Sequence, residues 1–275
     1  MQILTSRSQL KAWRDEHRQI VLVPTMGNLH AGHAALIEHA KSKQCPVVVS
    51  IFVNPTQFDD PDDLARYPRT FDQDCDYLRS LGVDAVFAPD TDLLYPEGTE
   101  DSLRIDVGSI AHRFEGAIRP GHFSGVASVV ARLFLLVKPD YAVFGEKDYQ
   151  QCRVIERLVQ ALSLPVALEY VETVREKSGL ALSSRNRFLS TKARNTAPVL
   201  YQILKRAAAQ LRQQQPVEAV LAESQQRLEQ VGFDVDYFTY VDADTLEPSH
   251  LPLAHGRILA AARLGSVRLL DNHPV

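Results

Sequence analysis

Ile20-Val21-Leu22-Val23 runs directly into Pro24-Thr25-Met26-Gly27-Asn28-Leu29-His30-Ala31-Gly32-His33, a short apolar run that breaks into a glycine-bearing turn and then a helical pattern over 33–42. Residues 47–53, VVVSIFV, form a second continuous apolar run. Runs that do not alternate in polarity suit strands buried on both faces, as in a parallel sheet. The strand–helix–strand order then repeats. Residues 84–88 (DAVFA), 141–144 (YAVF) and 166–171 read as strands, and 70–81, 125–137 and 149–162 as helices. This alternation predicts a doubly wound α/β domain, Rossmann-like in class. After about residue 174 the texture changes. Residues 191–213 and 216–231 are helical and rich in Ala, Gln, Leu and Arg, while 235–241, 257–264 and 266–270 read as strands that mostly alternate in polarity. Those features predict a smaller α+β domain with an antiparallel sheet. The expected division is 1–175 and 176–275.

Composition narrows the function classes. The 275 residues carry a net charge of -4, are 45% hydrophobic and have a mean hydropathy of -0.15. A nucleic-acid binder would need a basic stripe, and here the basic residues are scattered among acids, so no nucleic-acid partner is expected. No apolar run reaches the ~20 residues that span a bilayer. The N-terminal stretch turns polar and charged at once and does not read as a signal peptide. Cys45, Cys75 and Cys152 lie far apart and form no CxxC, which predicts reduced thiols in a cytoplasmic protein.

Four corners carry the chemistry. In an open α/β sheet, ligands collect beyond the carboxyl ends of the strands, and the N–H groups that open the next helix attract phosphate. The first corner offers Gly27 and Gly32 for close backbone approach. His30 and His33 there can donate ring N–H bonds to phosphate oxygens. A bare H-x-G-H would read more readily as a polar helix start or half a metal site; the preceding PTMGNL and the placement after the first strong strand reverse that and favour the phosphate role. The second corner is Asn54-Pro55-Thr56-Gln57-Phe58. Asn54 fits turn chemistry, which Asn-Pro marks. Gln57 suits another task. A carboxylate that must act as a nucleophile is better held by a neutral amide than by an arginine, which would dampen its charge. Gln151 is a second such amide, just past the third corner, Gly145-Glu146-Lys147-Asp148. There Lys147 suits a phosphate, and Asp148 either a helix cap or a ribose hydroxyl. The fourth is Leu182-Ser183-Ser184-Arg185-Asn186, where two hydroxyls beside an arginine suit a departing pyrophosphate.

PTMGNLHAGH resembles the HxGH signature of the nucleotidylyltransferase superfamily, and LSSRN resembles that superfamily's KMSKS-type phosphate loop. With SIFVNPTQF, YPRT, RPGHFSGV, FGEKDYQQ and the terminal ARLG…RLLDN, the order and spacing resemble the pantothenate synthetases over nearly the whole chain. The resemblance implies ATP-dependent condensation of pantoate with β-alanine through a pantoyl adenylate, with release of AMP and pyrophosphate. It implies that Met26, Gly27, Asn28, Leu29, His30, Ala31, Gly32 and His33 contact ATP, with His33 the catalytic proton donor and His30 assisting at the phosphates. Gly145, Glu146, Lys147, Asp148 and Val174 would frame the nucleotide, and Leu182, Ser183, Ser184 and Arg185 would cover the triphosphate from the smaller domain. Gln57 and Gln151 would hold pantoate, with Gln57 also where β-alanine enters. A homodimer and a magnesium requirement are implied as well. At the two positions after YPRT where the family often carries acids linked to the metal, this chain has Gln73 and Asp74. Asp74 keeps the acid and is the expected metal residue, while Thr70-Phe71-Asp72-Gln73 has the form of a capping box.

A nucleotidylyltransferase acting on another small carboxylate or phosphate shares the histidine signature but gives no reason for NPTQF together with GEKDYQQ. A tRNA synthetase would bring a basic surface and an anticodon-binding module. A nucleotide-binding module without turnover would not require two histidines beside paired glutamines.

Overall fold

The computed structural model describes residues 1–58 and 61–275, and the chain divides into two compact units. The first comprises Met1–Glu146 and Gln150–Val171; the second comprises Lys147–Tyr149 and Glu172–Val275.

The first unit is built on a parallel sheet of β1 (Gln2–Leu4), β2 (Val21–Thr25), β3 (Val47–Ile51), β4 (Ala85–Phe87), β5 (Tyr141–Gly145) and β6 (Ala167–Val171). Their order is β1-β4-β3-β2-β5-β6. Successive residues of each strand enter opposite cores, as a pleated strand requires. Leu22, Val48, Phe87 and Ala142 join one core, and Val21, Val23, Val47, Val49, Val86 and Val143 the other. The first core is covered by helices Arg7–Asp15, His122–Val137 and Tyr149–Leu162, which supply Trp13, Phe134 and Ile155. Ile37 of Ala31–Lys41 and Leu78 of Phe71–Ser80 cover the second. Covering both faces explains why these strands read as unbroken apolar runs. Each Val or Leu so buried stabilises the fold by roughly 1.5–3 kcal/mol.

From β2 the chain steps outward through β3 and β4, then returns to place β5 on the other side of β2. The strand order reverses there, and in open α/β sheets ligands bind beyond the carboxyl ends of the strands at such a point. The first and third corners follow the ends of β2 and β5. β1 pairs with β4 in parallel, Gln2 opposite Ala85 through Leu4 opposite Phe87. It was not expected, because three residues at a sheet edge leave almost no periodicity to read.

In the second unit, β7 (Asp234–Asp242), β8 (Gly256–Leu264) and β9 (Val267–Pro274) form an antiparallel sheet in chain order. Helices Val199–Arg212 and Val217–Gln230 pack on one face of it around Leu204, Leu211, Leu228 and Phe238. The expected helix over 191–213 is two helices, Thr191–Thr196 and Val199–Arg212. Pro198 separates them, since it has no N–H to bond the preceding turn. The helix expected at 125 begins at His122, just after Gly121 in a left-handed conformation, φ 82°.

Candidate active site

At the end of β2 the backbone turns through two left-handed residues, Gly27 (φ 79°) and Asn28 (φ 53°). Gly27 answers to sterics as well as to φ: a Cβ there would stand 2.9 Å from Asp74 Oδ2 and 3.2 Å from Ile51 Cγ2. Asp74 organises this turn. It is 3% exposed, Asn28 N–H donates to its Oδ2 at 2.8 Å, and Leu29 N–H donates to its Oδ1 at 2.8 Å. The Thr70 hydroxyl adds a third bond to Oδ2, 3.0 Å. Thr70 therefore does not cap its own helix, as the capping-box reading required: its hydroxyl is spent on the Asp74 carboxylate and makes no side-chain cap bond. Gln73 is exposed.

The helix Ala31–Lys41 starts on a pair of histidines. His30 is its N-cap, with Nδ1 accepting from Gly32 N–H at 3.1 Å, and His33 Nδ1 accepts from His30 N–H at 3.2 Å. The rings lie 4.3 Å apart between centroids. A backbone N–H can only donate, so both Nδ1 atoms are acceptors and the proton of each neutral ring sits on Nε2. Capping thus selects the tautomer whose donor lies on the side of the ring away from the backbone.

At the second corner, beyond β3, Asn54 is 1% exposed and its Oδ1 caps the short helix Pro55–Gln57 by accepting from Thr56 N–H. Turn chemistry is only half its work. Its Nδ2 donates to Gln57 Oε1 at 3.1 Å, which turns the Gln57 amide so that Nε2 meets Met26 Sδ at 3.0 Å. The first and second corners are thereby joined. Gln151 stands half-buried in the first turn of Tyr149–Leu162, past the carboxyl end of β5.

In the second unit, Lys147, Ser183 and Arg185 line one cleft with Tyr201, Arg268 and Asp271. Lys147 is held by its backbone: Asn272 Nδ2 of β9 donates to its carbonyl at 3.1 Å, while its Nζ lies 3.2 Å from Asp148 Oδ1. A hairpin delivers the fourth corner. Leu182 N–H donates to Val174 O at 2.9 Å, and Arg175 pairs with Ala181. Its base is fixed by Arg175, which grips the buried Asp271 with two bonds of 2.6 and 2.8 Å and stacks 3.5 Å above Tyr201. Ser183 Oγ then caps Ser184–Phe188 by accepting from Arg185 N–H at 3.2 Å. Sequence reasoning placed these residues near one another but missed the supports, Asn272 and the Arg175–Asp271 pair.

Among the described residues, the Asp74 carboxylate serves the backbone turn. Among the described residues no group of three or more His, Cys, Asp or Glu is arranged to hold an ion. Asp74, the residue expected to serve magnesium, is buried with both oxygens bonded to the turn at 27–29. A magnesium ligand needs an oxygen directed at the ion in a near-octahedral shell. The fold directs these oxygens at backbone N–H groups instead.

The profile of the pantoate–beta-alanine ligases matches residues 2–274. The chain belongs to that family. It is 47% identical over 277 residues to the pantoate–beta-alanine ligase of Schizosaccharomyces pombe, covering 99% of this chain and 98% of that protein. Among solved structures it resembles the pantothenate synthetase of Thermus thermophilus, with a TM-score of 0.93, 45% identity and 99% of each chain covered. It also resembles the Francisella tularensis pantoate–beta-alanine ligase complexed with beta-gamma ATP and beta-alanine, with a TM-score of 0.83 and 37% identity over 100% of this chain and 97% of that one. The expected ligase family and the Rossmann-like fold class are both borne out. No helix among the described residues is long and apolar enough to cross a membrane.

Proposed function

We propose that this ligase works in two half-reactions, with ATP activating pantoate before β-alanine attacks. The observation that carries the reading is the histidine pair whose Nδ1 atoms are occupied by backbone N–H groups. It supports two Nε2–H donors at the opening of a helix beyond the central strand, where phosphate is favoured. In the first half-reaction a pantoate carboxylate oxygen bonds to the α-phosphorus of ATP, the bond from that phosphorus to the bridging oxygen breaks, and pyrophosphate departs. His33, assisted by His30, donates to the phosphate oxygens as charge builds on them. Lys147, Ser183 and Arg185, gathered in one cleft, suit the β- and γ-phosphates. Gln57 and Gln151 hold pantoate through neutral amides, which leaves the carboxylate its charge. In the second half-reaction the β-alanine amine attacks the acyl carbon, an amine proton is lost, and AMP leaves with the former carboxylate oxygen.

The test is isotope exchange between pyrophosphate and ATP. Pantoate alone is expected to support it. Exchange that waits for β-alanine would rule out a separate activation step.

A further inference from the structure

Gln57, which the reading above assigns to pantoate, is gripped by a segment to which the reaction gives no task. That segment is Arg119-Pro120-Gly121-His122-Phe123-Ser124-Gly125, the turn that opens helix His122–Val137. Three of its groups converge on residues 54–57. Arg119 Nη2 donates to the Gln57 carbonyl at 3.1 Å, and His122 Nδ1 donates to the same oxygen at 2.8 Å. A carbonyl only accepts, so the His122 proton in this bond is on Nδ1. Gly125 lies so close that a Cβ there would be 2.3 Å from Thr56 O and 2.8 Å from Gln57 N, so the turn can dock only because position 125 has no side chain. The Gly125 carbonyl in turn accepts from Asn54 Nδ2 at 3.2 Å.

That last bond decides which way Gln57 points. Gly125 O accepts only and Thr56 N–H donates only, so Asn54 must present Nδ2 to the first and Oδ1 to the second. With Nδ2 so placed, Gln57 can meet it only with Oε1, and Nε2 is thrown to the opposite side. Tyr95, 1% exposed, reinforces the setting by donating from its hydroxyl to Asn54 Oδ1 at 2.8 Å. An amide presented the other way round would offer an acceptor where a carboxylate ligand needs a donor.

We propose that residues 119–125, with Tyr95 behind Asn54, form a positioning clamp that sets both the place and the amide polarity of Gln57. The proposal rests on Gln57 as a pantoate residue, and none of the clamp bonds described is made to substrate. Its signature is selective: loosening the clamp impairs the use of pantoate while leaving the use of ATP in place.

The experiment measures initial rates against pantoate and, separately, against ATP in the full-length enzyme. The variants are Gln57→Ala, Tyr95→Phe, Gly125→Ala, His122→Leu and His122→Asn. Tyr95→Phe keeps the ring and removes the hydroxyl that bonds Asn54 Oδ1 and Thr56 Oγ1, so the KM for pantoate should rise about threefold to tenfold. Gly125→Ala displaces the turn and should cost about tenfold to a hundredfold in kcat/KM for pantoate. The KM for ATP should hold within about twofold in both. Asn can place an N–H near the position of Nδ1, so His122→Asn should recover most of what His122→Leu loses. If Gln57→Ala leaves the KM for pantoate unchanged, the assignment of Gln57 itself fails, and the clamp with it. If Gln57→Ala raises that KM while Tyr95→Phe and His122→Leu, folded and as heat-stable as the parent, do not, the clamp alone is overturned. Should Gly125→Ala fail to fold, Tyr95→Phe and the His122 pair still decide. Equal losses against ATP and pantoate across these variants would reduce the segment to a structural support.

Discussion

At the scale of single residues, Asp74 has the clearest consequence. Its carboxylate faces two consecutive backbone N–H groups, from Asn28 and Leu29, in a buried place. Asn at this position has one accepting oxygen and one NH2 group, so one of those N–H groups would face a donor. A buried donor left without an acceptor costs about 1–3 kcal/mol. Asp74→Asn is therefore expected to lower the melting temperature and raise the KM for ATP. The magnesium midpoint at saturating ATP should stay within about twofold, because the oxygens serve the turn and an ion would find its ligands on the phosphates. Titrating magnesium alongside a thermal melt checks this; a moved midpoint with an unmoved melt would return Asp74 to the metal. His33 presents the opposite case. Its donor acts mainly as charge develops, so His33→Ala should lower kcat on the order of 10²-fold while ATP binding changes less. Single-turnover rates beside direct ATP titration separate the two effects.

At the scale of elements, the edge strand β6 is tied to the helix that carries the histidines. Glu169 of β6 meets Lys43 just past the end of that helix and His39 within it, the latter at 2.9 Å. The bonds from Lys43, and then from His39, hold the Glu169 carboxyl below its ordinary pKa. A carboxylate whose folded pKa is depressed stabilises the fold above its unfolded value, and loses that contribution as the pH falls through the folded one. Glu169→Gln should thus cost about 0.5–1 kcal/mol at neutral pH. The difference from the parent should shrink as the pH drops through about 4.3, where the unfolded carboxyl is half protonated, and on towards the lower folded value. Denaturant melts of both proteins at pH 7 and at successively lower pH provide the measurement, and a gap that stays constant would remove Glu169 from the acid response. The two short helices at 191–212 belong at this scale as well. Composition marks the whole stretch as helical, and one proline decides that it is two pieces.

At the scale of the whole molecule, substrate binding is linked to folding, since a ligand that binds only the folded chain stabilises it, by about 2.7 kcal/mol at a hundredfold excess over Kd. ATP should therefore raise the melting temperature of the parent. It should do so almost equally in His33→Ala, whose donor matters in the transition state more than in the bound state. A lost thermal shift in that variant would make His33 a binding residue. Much of this molecule is legible in its sequence. Continuous apolar runs between helical patterns suit a sheet buried on both faces, and the glycine-bearing turns at strand ends with their motifs carried the family resemblance. Periodicity and residue type are local, and they carry that far. The pairing of β1 with β4, the use of Asp74 on the turn at 27–29, and the grip of residues 119–125 on Gln57 were not legible. Each depends on groups far apart in sequence whose meeting is set by packing. A carboxylate, a glycine or a histidine bears no mark of which backbone atom it will find. The sequence by itself determined the strands, the helices and which groups are available for chemistry; the tertiary structure decided which groups hold which others in place, because hydrogen-bond direction and steric clearance exist only between neighbours in space.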